Sequence, residues 1–79
     1  MEEHLKQVLR ALGFEDGEMR LDRSESGKVG GVLVSKRFTG KSQEERQNEL
    51  WSGLNAQLRP EELTQIVAIL TMTPEEIAA

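Results

Sequence analysis

The segment from Val32 to Ser42 reads VLVSKRFTGKS and predicts a strand, a tight turn and the start of a helix. Its first three residues are apolar and two are β-branched, which is typical of a buried strand. Gly40 suits a turn that needs a positive φ. Ser42 and Glu45 form a Ser-x-x-Glu capping box, in which each side chain accepts a hydrogen bond from the other residue's amide. An apolar stripe at helical spacing then extends this helix to Leu58, through Leu50, Trp51 and Leu54.

The residues before this segment predict a helix and a β-hairpin. Apolar residues recur every three or four positions from Glu2 to Leu12, Gly13 suits the end of that helix, and Phe14 is expected to plug the core. The alternating segment Glu18 to Ser24 predicts a half-exposed strand, and Lys28 to Lys36 predicts its partner. We expect Gly30 and Gly31 to mark a bulge or a close approach of two backbones.

The residues after the segment predict a turn, a third strand and a last helix. Pro60 suits the first position of a short helical turn, and Thr64 to Thr71 is apolar enough for a buried strand. Thr73, Pro74 and Glu76 then cap a short final helix. Because a strand–helix–strand crossover makes its strands parallel, the order αββαβα predicts an α+β fold. Its three-stranded mixed sheet should have helices packed on one face and leave the other face wet.

Length and composition narrow the class of protein. The chain has 79 residues, so we expect residues 1–79 to form a single domain. It has no cysteine, which excludes disulfides, thiol nucleophiles and cysteine metal sites. No signal-peptide pattern or long apolar run is present, so we expect a cytoplasmic protein without a membrane segment. The net charge of −4 disfavours non-specific nucleic-acid binding but still permits a local basic patch.

Four motifs carry a family resemblance: Val34-Ser35-x-x-Phe38-x-Gly40-Lys41, Arg46, Trp51-x-x-Leu54 and Thr71-x-Thr73-Pro74-Glu75-Glu76. In these motifs the sequence resembles the BolA family, and the spacing from Phe38 to Leu54 matches that family without a gap. The resemblance extends over nearly the whole chain and implies an α+β fold similar to class II KH domains.

The resemblance implies a binding partner rather than a reaction. BolA-like proteins are known as partners of monothiol glutaredoxins, with which they share a 2Fe–2S cluster through a His before the third strand and often a His or Cys near the second. Gln65 occupies the first of these positions and Lys28 the second. Neither side chain suits an iron–sulfur cluster, so we expect no cofactor. Any contact with a glutaredoxin should then form without a cluster or with a weakly bound one. Candidate partner-binding residues are Lys28, Gln65 and Val67.

Four cations surround the turn between the second strand and the long helix: Lys36, Arg37, Lys41 and Arg46. Such a cluster at a helix start can hold phosphate, which makes these residues candidates for nucleic-acid binding by a transcriptional regulator. The alternative is a solvated rim in which some of the cations pair with Glu44, Glu45 or Glu49. Some BolA-like proteins are also described as DNA-binding regulators.

Three further features have ordinary structural interpretations. We expect His4, the only histidine, to be a solvated surface residue. The GxxG match at 27–30 opens a strand, whereas the KH loop joins two helices, so we attribute it to chance. The spacing of Trp51 favours a core position over an exposed recognition aromatic. No nucleophile–base pair or small-molecule site is evident, so we predict a protein that is not an enzyme.

Overall fold

The computed structural model describes residues 1–78 of the chain. Its helices and strands are α1 (Glu2–Ala11), β1 (Met19–Arg23), β2 (Val29–Val34), α2 (Gln43–Gln57), α3 (Pro60–Leu63), β3 (Ile66–Met72) and α4 (Pro74–Ala78). Two short 3-10 helices, Asp16–Glu18 and Lys36–Phe38, precede β1 and follow β2. The protein is therefore a small α+β fold in the predicted order, with α3 as the additional turn before the third strand.

The sheet has three strands in the order β1-β2-β3. Strands β1 and β2 form an antiparallel hairpin in which Met19 lies opposite Leu33. Strand β3 runs parallel to β2, with Met72 opposite Val34. The predicted mixed sheet is thus confirmed.

The glycine pair in β2 has both of the roles that the sequence suggested. The register between β2 and β3 shifts between Val29 and Gly31, so that two residues of β3, Val67 and Ala68, lie opposite Gly30. A Cβ atom added to Gly31 would lie 2.3 Å from the Arg20 carbonyl oxygen. The first glycine accommodates a bulge and the second a close approach of β1.

The helices cover one face of the sheet. Alternate residues of the strands point into a core that they share with α1 and α2. The buried apolar residues are Leu5, Val8, Leu9, Phe14, Met19, Val29, Leu33, Phe38, Leu50, Leu54, Leu58, Ile66 and Ile69. On the other face the side chains of Val67 and Leu70 remain 66% and 59% exposed. We call this second face the open face.

Local capping interactions form as predicted. The Ser42 hydroxyl accepts a hydrogen bond from the Glu45 amide, and the Glu45 carboxylate accepts one from the Ser42 amide. These hydrogen bonds hold the pKa of Glu45 below its ordinary value. Thr73 and Glu76 make the same reciprocal pair at the start of α4. Gly40 adopts a φ of 80°.

Two predictions about α2 and β2 need correction. Strand β2 ends at Val34 rather than Lys36, because the Ser35 hydroxyl accepts a hydrogen bond from the Arg37 amide and starts a 3-10 helix there. Trp51 is only half-buried against the core, and its indole N–H donates to Gln47 Oε1 at 3.0 Å. The indole therefore lies at the boundary of the core rather than within it.

Candidate protein-binding surface

The three predicted partner-binding residues lie together at one end of the sheet. The Gln65 carbonyl accepts a hydrogen bond of 2.8 Å from the Val29 amide, which places Gln65 beside Lys28 at the start of the β2–β3 pair. All three side chains, of Lys28, Gln65 and Val67, are exposed. Residues 37 positions apart in the sequence thus share one surface.

The open face continues this surface with a strip of apolar side chains. Val32 lies opposite Leu70, and Val34 lies opposite Met72. Val67 joins them through the bulge, which turns both Val67 and Ala68 away from the core. The apolar strip comprises Val32, Val34, Val67, Leu70 and Met72. Sequence reasoning named only Val67, although the absence of polar residues from Ile66 to Leu70 was a signal that both faces of β3 are apolar.

Two opposite charges border the apolar strip on β1. Arg20 lies opposite Val32, and Asp22 lies opposite Gly30. Both alternate with the inward-facing Met19 and Leu21, so their side chains share the open face with the strip. The sequence predicted a half-exposed strand here but gave no reason to connect its two charges to a binding surface.

Helix α2 closes the outer edge of β3 with side-chain amides. The Gln47 amide donates to the Ile69 carbonyl oxygen at 2.8 Å, and the Gln43 amide donates to the Thr71 carbonyl oxygen at 3.0 Å. The Met72 carbonyl oxygen accepts a hydrogen bond from the Ser35 amide and therefore points toward β2. Because successive carbonyl groups of a strand point in opposite directions, the carbonyls of Ile69 and Thr71 point away from β2. The sheet edge that would pair with another strand is therefore already satisfied at these two positions.

The predicted basic cluster is only partly available to a ligand. The Arg37 guanidinium stacks 4.4 Å from the Phe14 ring centroid and donates to the Leu12 carbonyl. The Lys41 ammonium pairs with the Glu49 carboxylate. Lys36 is exposed.

Arg46 does not belong to the exposed cluster, which corrects its assignment as a surface cation. It is only 5% exposed. Its guanidinium donates to the carbonyl oxygens of Phe38 and Thr71 and to Glu76 Oε1, at 3.1, 3.3 and 2.9 Å. The hydrogen bond from Arg46 is the main cause that lowers the pKa of Glu76. The hydrogen bonds of the Arg46 guanidinium therefore link the turn after β2 to β3 and to α4.

A small pocket lies beside this turn. It encloses about 70 Å³, far below the roughly 300–1,000 Å³ of a typical small-molecule site. Its lining combines four apolar side chains with a glycine and two charged residues: Leu12, Phe14, Phe38, Leu50, Gly53, Arg37 and Glu49. A pocket of this size has room for a few water molecules rather than for a drug-sized ligand.

The residues present do not fit an iron–sulfur cluster. Lys28 and Gln65 offer an ammonium group and an amide where a cluster needs thiolate or imidazole. Within residues 1–78, no group of three or more His, Cys, Asp or Glu side chains is arranged to hold a metal ion. His4 lies elsewhere, 3.1 Å from the Glu62 carboxylate.

None of the helices among residues 1–78 is both long enough and apolar enough to cross a membrane.

No protein-family model, no curated protein and no solved structure matches this chain.

Proposed function

We propose that this chain is a non-catalytic, BolA-like binding domain that contacts a partner protein through the apolar strip and the adjoining Lys28 and Gln65. The observation that carries the proposal is the exposure of Val67 and Leu70, at 66% and 59%, on a sheet face that the helices leave open. Exposed apolar patches with a polar border are typical of protein-binding sites.

The first candidate partner is a monothiol glutaredoxin. This choice rests on the resemblance of the sequence motifs to the BolA family, which has a class II KH-like fold. The contact is cluster-free, because Lys28 and Gln65 supply no iron ligand. The predicted cytoplasmic location is part of the same proposal.

An amide-shift NMR titration with a monothiol glutaredoxin, first cluster-free and then cluster-loaded, tests this proposal. We expect shifts at residues 28–31 and 65–70 in both titrations. Val67→Glu places a charge in the apolar strip and should abolish the shifts. Lys36→Glu also changes an exposed residue but lies outside the strip, so it should leave them intact.

The absence of shifts in both titrations refutes the glutaredoxin contact. Nucleic-acid regulation through the basic turn is the alternative, although Arg37 and Lys41 are engaged with neighbouring groups and Arg46 is buried. It requires that Lys36→Glu combined with Lys41→Glu lowers DNA or RNA retention at low salt, because phosphate contacts are salt-dependent.

A further inference from the structure

We propose that the open face also binds a second copy of this chain, forming a two-fold dimer with the sheets face to face and their strands antiparallel. In this dimer Arg20 of each copy pairs with Asp22 of the other. The inference concerns self-association and is tested without glutaredoxin, so it and the proposed function can fail separately.

The strand register arranges the open face in two rows. One row contains Arg20, Val32 and Leu70. The other row contains Asp22, Gly30 and the bulge formed by Val67 and Ala68. Between these two rows lies a middle row that faces the core and consists of Leu21, Gly31 and Ile69. A two-fold axis along the middle row exchanges the outer rows, so each row of one copy lies over the other row of its partner.

This exchange makes the charges complementary. Arg20 and Asp22 are two residues apart on β1, on the same face and at equal distances from the axis. The two-fold axis therefore brings each arginine to the aspartate of the second copy, twice per dimer. If the axis ran along the strands instead, β1 of one copy would cover β3 of the other and would press these charges onto Leu70 and Val67.

The same exchange matches shapes. Leu70 of one copy faces the Val67–Ala68 bulge of the other, which buries the two most exposed large apolar side chains of the sheet. Val32 faces Gly30, which has no side chain on the open face. A branched side chain thus stands over a gap, as in the packed faces of β-sandwiches.

Association through the sheet edges has less support than association through the face. The β1 edge carries three charges within five residues, at Arg20, Asp22 and Arg23, which discourage strand pairing. At the β3 edge, a new strand would have to displace the Gln43 and Gln47 amides from the Thr71 and Ile69 carbonyls. The face requires no such displacement.

The small size of the face limits the strength of the dimer. Three strands of about five residues cover roughly 14 by 17 Å, well below the contact area of a standard interface. We therefore expect a weak dimer with a dissociation constant of about 0.1–1 mM.

Sedimentation equilibrium of single and paired charge variants tests the dimer. Arg20→Asp alone and Asp22→Arg alone each place like charges together twice, and each should weaken association by about tenfold or more. The double variant Arg20→Asp/Asp22→Arg should return to within about threefold of the parent. An equimolar mixture of the two single variants should form heterodimers, because every contact then joins opposite charges.

Arg23→Asp is the matched control. It makes the same charge change on the same strand, but Arg23 lies opposite Val29 and points to the other face. Its dissociation constant should equal that of the parent, and thermal melting of each variant verifies that all of them fold. A parent that remains monomeric at about 2 mM overturns the proposal, since the expected constant is lower. Single variants that associate like the parent, or a mixture that does not recover, also overturn it.

Discussion

Arg46 shows how one residue can hold distant parts of this small fold together. Its guanidinium is buried and donates to two backbone carbonyls, of Phe38 and Thr71, as well as to the Glu76 carboxylate. It also lies over the Phe38 ring, 5.9 Å from the centroid. The side chain is therefore a second donor to two carbonyl groups near the carboxyl ends of β2 and β3, beside the Lys41 backbone amide and the Gln43 side-chain amide.

Removal of this guanidinium should be strongly destabilising. Arg46→Ala removes one of two donors from each of these carbonyl oxygens, breaks the ion pair with Glu76 and opens a cavity, so we expect a loss of about 3 kcal/mol in the free energy of unfolding. Urea unfolding followed by far-UV circular dichroism measures this loss. Lys36→Ala changes a nearby exposed cation and should stay within about 0.5 kcal/mol of the parent. An Arg46→Ala loss below about 1 kcal/mol contradicts the role of the guanidinium as a buried link.

Glu76 makes part of the stability depend on pH. The hydrogen bonds from the Arg46 guanidinium and the Thr73 amide lower the pKa of Glu76 in the folded protein. Because the folded pKa lies below the unfolded pKa, the contribution of this carboxylate is complete above the unfolded value of about 4.5 and disappears as the pH falls through the folded value. Stability should therefore fall in this acidic range.

Comparison of Glu76→Gln with the parent isolates that contribution. At pH 7 the variant should melt at a lower temperature than the parent, and the difference should narrow as the pH falls below the unfolded pKa of about 4.5. Glu75→Gln changes the neighbouring exposed glutamate and should differ little from the parent throughout. A gap between Glu76→Gln and the parent that stays constant from pH 7 to pH 3 would falsify the assignment.

At the scale of elements, the close contact of β1 and β2 depends on Gly31. A Cβ atom at this position would lie 2.3 Å from the Arg20 carbonyl oxygen and 2.7 Å from Leu21 Cδ2. The Arg20 carbonyl oxygen belongs to the backbone, so it cannot move away without separating β1 from β2. We expect Gly31→Ala to lower the free energy of unfolding by about 3 kcal/mol, measured by urea unfolding. Gly17→Ala is the control, because a Cβ atom added there would have nothing within 4 Å and its cost should be below about 0.5 kcal/mol.

The elements were predictable where their determinants are local. The capping boxes at Ser42 and Thr73 involve residues three apart, and hydrophobic periodicity identifies the faces of α1 and α2. The position of Arg46 was not predictable in this way, because Thr71 and Glu76 follow it by 25 and 30 residues. The apolar strip was missed for the same reason, since the pairing of Val32 with Leu70 depends on the parallel register and its bulge.

At the scale of the whole molecule, no element has a core of its own. Buried residues of α1, α2 and all three strands belong to one cluster, which includes Leu9, Leu54 and Leu33. Loss of any one layer exposes the apolar side chains of the others. The prediction that residues 1–79 are a single domain therefore has a direct consequence for unfolding.

We expect unfolding in urea to be a single cooperative transition. Trp51 is the only tryptophan and reports on α2, whereas far-UV circular dichroism reports on all helices and strands. The two signals should give coincident curves, with a free energy of unfolding of about 4–8 kcal/mol and a slope of about 1 kcal/mol per molar urea.

Val8→Ala extends this test because Val8 lies on α1, a different helix from Trp51. Its cavity should cost about 2 kcal/mol, and in a cooperative molecule it must shift both curves by the same amount, about 2 M urea. A shift in the circular dichroism curve without an equal shift in Trp51 fluorescence would mean that α1 unfolds independently of α2. The core would then be two weakly coupled parts, and the open face would belong to a sheet that α1 does not stabilise.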